Sequence, residues 1–396
     1  MVAMGPSVGG ADWLVPLDAE ELLATARRST GLDDFGAPSW EEPFRRLVDS
    51  LNDEADLHAL GRLMCRVDLL RHLRTRLLVV DAVERDPAIT ERVVTSPVFV
   101  TGPARSGTSI LHELLGQDPA LRAPLAWEMA HPFAWEGTAA ERAAMTECEF
   151  DLWADVHPPF AAVHELKSTL PEECIWLFAP EFETAFWSTC TNVPSFSAWR
   201  SQTDPASSYA WHKTMLQVLQ GDGPARPWVL KSPAHLNRLD ALFAVYPDAK
   251  VIHTHRDPVK TVASVVSTLA AGRRVRSDNV DTAQIAAGLD FGMGYMMDAV
   301  VAQRTSGTLP AGRIADIQYL DLLRDPVGAI RDAYSTVDLP FDDDMPERIR
   351  AYLDARPQDK HGVHRYRAQD FGYDIDALRA TFKGYTDHFG VEPEPA

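Results

Sequence analysis

The sequence predicts an α/β protein in which a mostly parallel sheet carries functional groups at the carboxyl ends of its strands. Three observations lead there. A short β-branched run at 97–101 passes through the loop Gly102-Pro103-Ala104-Arg105-Ser106-Gly107 into Thr108 and Ser109, after which Ile110, Leu111, Leu114 and Leu115 recur at helical spacing. Two further strand-like segments, at 228–231 and 250–254, are each followed by a helical pattern. The composition is that of a large globular chain: 396 residues, 45% hydrophobic and 24% charged, with no repeat or low-complexity tract.

Residues 11–95 read as an N-terminal helical extension packed on a core domain at 96–396. Segments 18–28 and 39–51 are amphipathic, with Ser39 a candidate N-cap ahead of Glu41 and Glu42. From Leu57 onward, Leu60, Leu63, Met64, Val67, Leu70, Leu73 and Leu77 keep helical spacing until Asp86-Pro87 breaks the run.

The loop at 102–107 is built like an anion site. A strand–turn–helix junction aims backbone N–H groups and the positive end of a helix dipole at one spot, and glycine lets an anion approach the backbone. A nucleotide triphosphatase loop would carry lysine where Thr108 stands; here the cation is Arg105, inside the loop, able to neutralise an anion without a metal ion. The alternative is an ordinary strand-to-helix turn that binds nothing.

Farther on, Glu128 lies beside Trp127 among apolar residues, where desolvation would raise its pKa and suit it to a general base. It also reads as a glutamate capping a short helix started by Pro124. Seven of the ten tryptophans fall between 127 and 211. That aromatic-rich insertion is expected to bind the acceptor, with His164, Glu172 and Glu173 as polar groups of the pocket; plain helix packing is the other reading. Lys231 and His235 sit at or just past the end of the 228–231 strand, where open α/β sheets bind ligands, and a continuous helix is expected after them. His235 is a candidate catalytic group or a core histidine.

After the 250–254 strand the chain repeats the first design: Arg256, then Asp257 as N-cap with Pro258 at the first helical position, and Ser264 two turns in. His253 and His255 share a strand face, but no carboxylate or cysteine stands at ligand spacing, so no metal is expected. A helix at 282–303, a last strand in RIADIQY and a helix at 326–337 follow. The tail DKHGVHRYRAQDFGYD is basic and aromatic, either a solvated loop or a lid over a charged nucleotide.

The formal net charge of −19 excludes nucleic acid as a natural partner, because duplex binding relies on a basic surface, and any anionic ligand must be held by local cations. Cys65, Cys148, Cys174 and Cys190 form no C-x-x-C pair and read as reduced thiols. No signal peptide and no apolar stretch of membrane-spanning length is visible, so the expected location is cytoplasmic. The oligomeric state stays open.

Taken together, GPARSGTS, WVLKSPAH and HRDPVKTVAS, the last with arginine and serine eight positions apart, resemble the sulfotransferases that use 3′-phosphoadenosine 5′-phosphosulfate, specifically their bacterial branch. The resemblance spans most of 90–390, with KHGVHRY as a supporting match. It implies a three-layer α/β sandwich with P-loop NTPase-like topology. It implies that Gly102, Arg105, Ser106, Gly107, Thr108 and Ser109 bind the 5′-phosphosulfate end and that Arg256 and Ser264 grip the 3′-phosphate. Lys360, His361, Gly362, His364 and Arg365 would close over the nucleotide. The phosphosulfate is then co-substrate, 3′,5′-diphosphoadenosine the product, and no metal takes part. Many relatives carry lysine at the Arg105 position; arginine cannot donate a proton at neutral pH, so only charge stabilisation transfers. The base is expected at Glu128, with His235 beside Lys231 as the alternative. The implied reaction is sulfuryl transfer to a hydroxyl of a small apolar or aromatic acceptor; a phosphotransferase and a non-catalytic nucleotide-binding protein are the competing classes.

Overall fold

The structure is a computed structural model that describes residues 11–133, 137–221, 225–356 and 367–394. The described chain divides into two compact units. The first gathers residues 11–92 with 175–221 and 271–280, and the second holds 93–174, 225–270 and 281–394. The aromatic stretch 127–211 is therefore divided between them after Cys174.

In the first unit, the helix Ala59–Arg85 packs with Ala19–Thr30. Asp18 caps the latter by accepting the Glu21 N–H at 2.8 Å, and Gly31, at φ 72°, closes its other end in the left-handed conformation that glycine adopts without steric cost. Ser39 does not cap the next helix, which starts at Glu41; its hydroxyl donates instead to Glu181. Glu181 also receives the Arg76 guanidinium, whose Nε donates to the Phe35 carbonyl at 2.6 Å and whose plane lies 4.3 Å from the Trp211 ring centre. Arg276, fully buried, donates to Asp68 at 2.9 Å. Beside it, a Cβ on Gly61 would lie 1.9 Å from the Arg276 carbonyl, so only glycine fits. These two buried ion pairs join the three sequence segments of the unit.

The second unit is organised on a parallel four-stranded sheet in the order β2-β1-β3-β4, with β1 Val98–Thr101, β2 Val229–Lys231, β3 Lys250–His255 and β4 Ile314–Gln318. The register sets Val100 beside Lys231, Thr101 beside His253, and His255 beside Gln318, so all four strands end at one edge. Val98, Val100, Ile252, Ala315 and Ile317 face one apolar cluster with Leu111, Leu114 and Ile330. On the other face, Phe99 packs against Tyr246, and His253 and His255 against Phe389. Helices on both faces give the three-layer α/β sandwich the sequence predicts.

Element boundaries follow local chemistry closely where caps are explicit. Asp257 accepts the Val259 N–H at 3.0 Å at the start of the helix Pro258–Arg274. The expected continuous helix after Lys231 is instead a 3-10 turn, Pro233–His235, and a separate helix, Leu239–Val245. Ser232 caps that turn through the Ala234 N–H, and Arg238 leaves helical geometry at φ −133°. The helix Thr282–Thr305 is long and apolar enough to cross a membrane by length and composition, though Asp290 and Asp298 interrupt it. Its Met293, Met297 and Val300 are nonetheless buried in a cluster with Leu378 and Phe382.

Candidate active site

The β1 loop leaves the sheet through two positions that exclude any side chain. A Cβ at Gly102 would lie 2.3 Å from Thr254 Oγ1, and one at Gly107, where φ is 91°, would lie 2.8 Å from the Tyr319 ring. Arg105 is held at φ 69°, a left-handed conformation costing about 1–3 kcal/mol for a non-glycine residue. Ser106, expected among the ligand-binding residues, also shapes the loop. Its hydroxyl and its N–H both donate to the Pro103 carbonyl, at 2.6 and 3.1 Å, and Thr254 Oγ1 lies 2.6 Å from its oxygen. Among the described residues no side chain caps the helix Thr108–Leu115, so its first N–H groups face the loop.

The two cationic motifs meet there. Arg256 donates through Nη1 to the Arg105 carbonyl at 3.0 Å, and Arg105 Nε donates to Ser264 Oγ at 3.2 Å. Arg256 also lies flat over Tyr319, 4.0 Å from the ring centre, and makes a two-pronged contact with Glu394 at 2.8 and 3.0 Å. Tyr319, the residue after β4, thus touches both motifs; its position just past a strand's carboxyl end was the available signal. At the neighbouring strand end Lys231, 3% exposed, donates to Glu173 at 2.6 Å and to Ser109 Oγ at 3.2 Å.

Glu173 brings the segment 164–173 to this edge. His164, partly covered beside Phe160, has its pKa lowered to about 4 by burial, with smaller influences from Glu173, Lys231 and Arg105. Burial raises Glu172 to about 7, against the attraction of Lys231. Glu172 in the native chain holds a proton between about pH 4.5 and 7 that the unfolded chain has released, so stability falls as pH rises through that window. Glu172→Gln is therefore expected to gain stability relative to the parent at pH 8 compared with pH 4.5, checked by melting temperature against pH.

The two residues expected as the base, Glu128 and His235, each sit in local contacts of their own. Glu128 caps its own short helix: Oε2 accepts the Leu125 N–H at 2.9 Å and Oε1 accepts from Arg122 at 2.8 Å. Arg122 in turn lies over Trp228. His235 is fully buried edge-on to Phe99, and burial lowers its pKa to about 3. Lys360, His361, Gly362, His364 and Arg365 lie outside the described residues. His253, His255 and Asp316 do come together, the carboxylate arriving from β4. Arg304 holds Asp316 through two contacts of 2.8 Å, and Tyr385 and Asp316 engage the two ring nitrogens of His255. The two histidines are buried, and the exposed carboxylate is paired with the Arg304 guanidinium.

A parallel sheet whose β1 loop and β3 end meet at the start of Thr108–Leu115 defines an α/β protein with cations and backbone N–H groups gathered at its strand ends. Comparison with known families narrows this. Residues 97–343 match the model of the sulfotransferase family, and the chain belongs to that family. Among solved structures, sulfotransferase STF1 from Mycobacterium tuberculosis is 31% identical, with a TM-score of 0.79 over 93% of this chain and 98% of that one. STF9 from Mycobacterium avium is 27% identical, with a TM-score of 0.82 over 96% and 98%. The omega-hydroxy-beta-dihydromenaquinone-9 sulfotransferase Stf3 of M. tuberculosis and M. bovis is 26% identical over 291 residues, 67% of this chain and 69% of the relative.

Proposed function

We propose that this sulfotransferase moves the sulfuryl group of 3′-phosphoadenosine 5′-phosphosulfate onto a hydroxyl of a small apolar or aromatic acceptor. The reading rests on the contact chain Ser264–Arg105–Arg256 at 3.2 and 3.0 Å, which joins the two motifs. The uncapped start of Thr108–Leu115 and the planar fork of Arg256 suit its 5′ and 3′ ends respectively. The acceptor class rests on the aromatic residues near His164 and on the name of the relative, an omega-hydroxy-beta-dihydromenaquinone-9 sulfotransferase.

In the proposed reaction the acceptor oxygen attacks sulfur, the bond from sulfur to the phosphate oxygen breaks, and 3′,5′-diphosphoadenosine leaves with that electron pair. Glu173 takes the hydroxyl proton. Lys231, between Glu173 and Ser109, neutralises charge on the transferred oxygens together with the loop N–H groups. Arg105 offers a fixed positive charge without a transferable proton.

The test is titration with 3′,5′-diphosphoadenosine followed by a turnover assay with labelled donor over a panel of hydroxyl compounds, products identified by mass. Arg256→Ala is expected to weaken binding of that nucleotide about 10- to 100-fold, from lost charge-assisted hydrogen bonds, and to leave adenosine 5′-monophosphate binding unchanged. Binding without any turnover across the panel would favour a non-catalytic nucleotide-binding protein.

A further inference from the structure

The guanidinium of Arg256 is not bare. Glu394 grips it with both carboxylate oxygens, accepting from Nε at 2.8 Å and from Nη2 at 3.0 Å, and the Glu394 side chain is only 12% exposed. The segment carrying it is anchored at two points. The Glu394 N–H donates to Asp257 Oδ2 at 2.9 Å, and Val391 is buried in the cluster of Leu378, Phe382 and Tyr385, its N–H donating to the Thr386 carbonyl at 2.9 Å. Arg256 is fixed from the remaining directions by the Arg105 carbonyl and the Tyr319 ring. Its outward fork, the edge that matches a carboxylate or a phosphate, is the edge Glu394 covers.

We propose that Glu394 is a built-in competitor of the donor nucleotide: its carboxylate stands on Arg256 in the place of the 3′-phosphate and must leave before that phosphate can bind. Carboxylate and phosphate use the same two parallel N–H donors, so occupancy is exclusive. Release of the donor product is then assisted by return of the 391–394 segment. The inference rests on the nucleotide reading of the Arg256 site given above. A residue that merely orients Arg256 would make the same contacts, and the two roles differ in sign: removing a competitor tightens nucleotide binding, and removing an orienting partner weakens it.

The experiment compares the parent, Glu394→Gln and Glu394→Ala by calorimetric titration with 3′,5′-diphosphoadenosine and, separately, with adenosine 5′-monophosphate. Both variants are expected to bind the 3′-phosphorylated nucleotide about 3- to 10-fold more tightly, the range of one partly exposed ion pair, with the monophosphate unchanged. Equal or weaker binding of 3′,5′-diphosphoadenosine by both variants overturns the competitor role alone. An equal gain with the monophosphate also overturns it, since the segment would then obstruct something other than the 3′-phosphate. Failure of the parent and both variants to bind either nucleotide overturns the nucleotide reading itself.

Discussion

Glu173→Gln is expected to lower turnover by about 10²- to 10⁴-fold, the usual contribution of a general base, while 3′,5′-diphosphoadenosine binds as in the parent. Glutamine keeps the shape of the side chain and can still accept from Lys231, but it cannot take the acceptor's proton. The informative partner is Glu128→Gln, which should keep activity within a few-fold, because that amide can still accept the Leu125 N–H that the carboxylate accepts now. A single-turnover assay with both variants separates the roles. Full activity in Glu173→Gln together with collapse in Glu128→Gln would return the base to the helix-capping glutamate.

The second large effect lies in the first unit. Asp68→Ala leaves the Arg276 guanidinium, 0% exposed, without the carboxylate that faces it at 2.9 Å. Stranding a buried charge costs about 3–5 kcal/mol, a large fraction of the roughly 5–15 kcal/mol that holds a typical domain folded. The variant should unfold at markedly lower urea concentration and accumulate poorly. Asp68→Leu combined with Arg276→Met, which removes both charges and keeps the volume, should recover most of the loss, because an apolar pair in a buried site is often as stable as an ion pair. If the double variant is no better than the single, the cost comes from Arg71, which also donates to Asp68 at 2.6 Å, or from packing around Gly61, and not from the Arg276 charge.

The sheet and its first loop were legible in the sequence because they rest on neighbours in the chain: β-branched runs, glycines and the Asp257-Pro258 cap act within a few residues. The meeting of Arg105, Arg256 and Ser264 follows what the family resemblance implied. What could not be read was which cation each carboxylate would meet. Glu128 and Glu173 look alike in sequence, and their difference is set by Arg122 in one case and by Lys231, 58 residues away, in the other. His235 follows a strand end as a ligand-facing residue would, yet a single 3-10 turn rotates it beneath Phe99. The partners of the N-terminal helices were equally hidden. Arg76 finds its carboxylate at Glu181 and Asp68 its guanidinium at Arg276, distances along the chain that periodicity does not report.

Those long separations bear on how the chain can be made. Asp68 meets Arg276 across 208 residues, and the Thr101 hydroxyl meets the Ser232 carbonyl across 131. At about 5–20 residues per second of synthesis, Asp68 emerges from the ribosome roughly 10–40 s before the residue that neutralises its neighbourhood exists. The two units interleave in the order of synthesis, so the first cannot be finished and set aside while the second is made. β1 likewise waits as an unpaired apolar edge until β2 and β3 arrive, an interval in which nascent chains are exposed to aggregation and to chaperones.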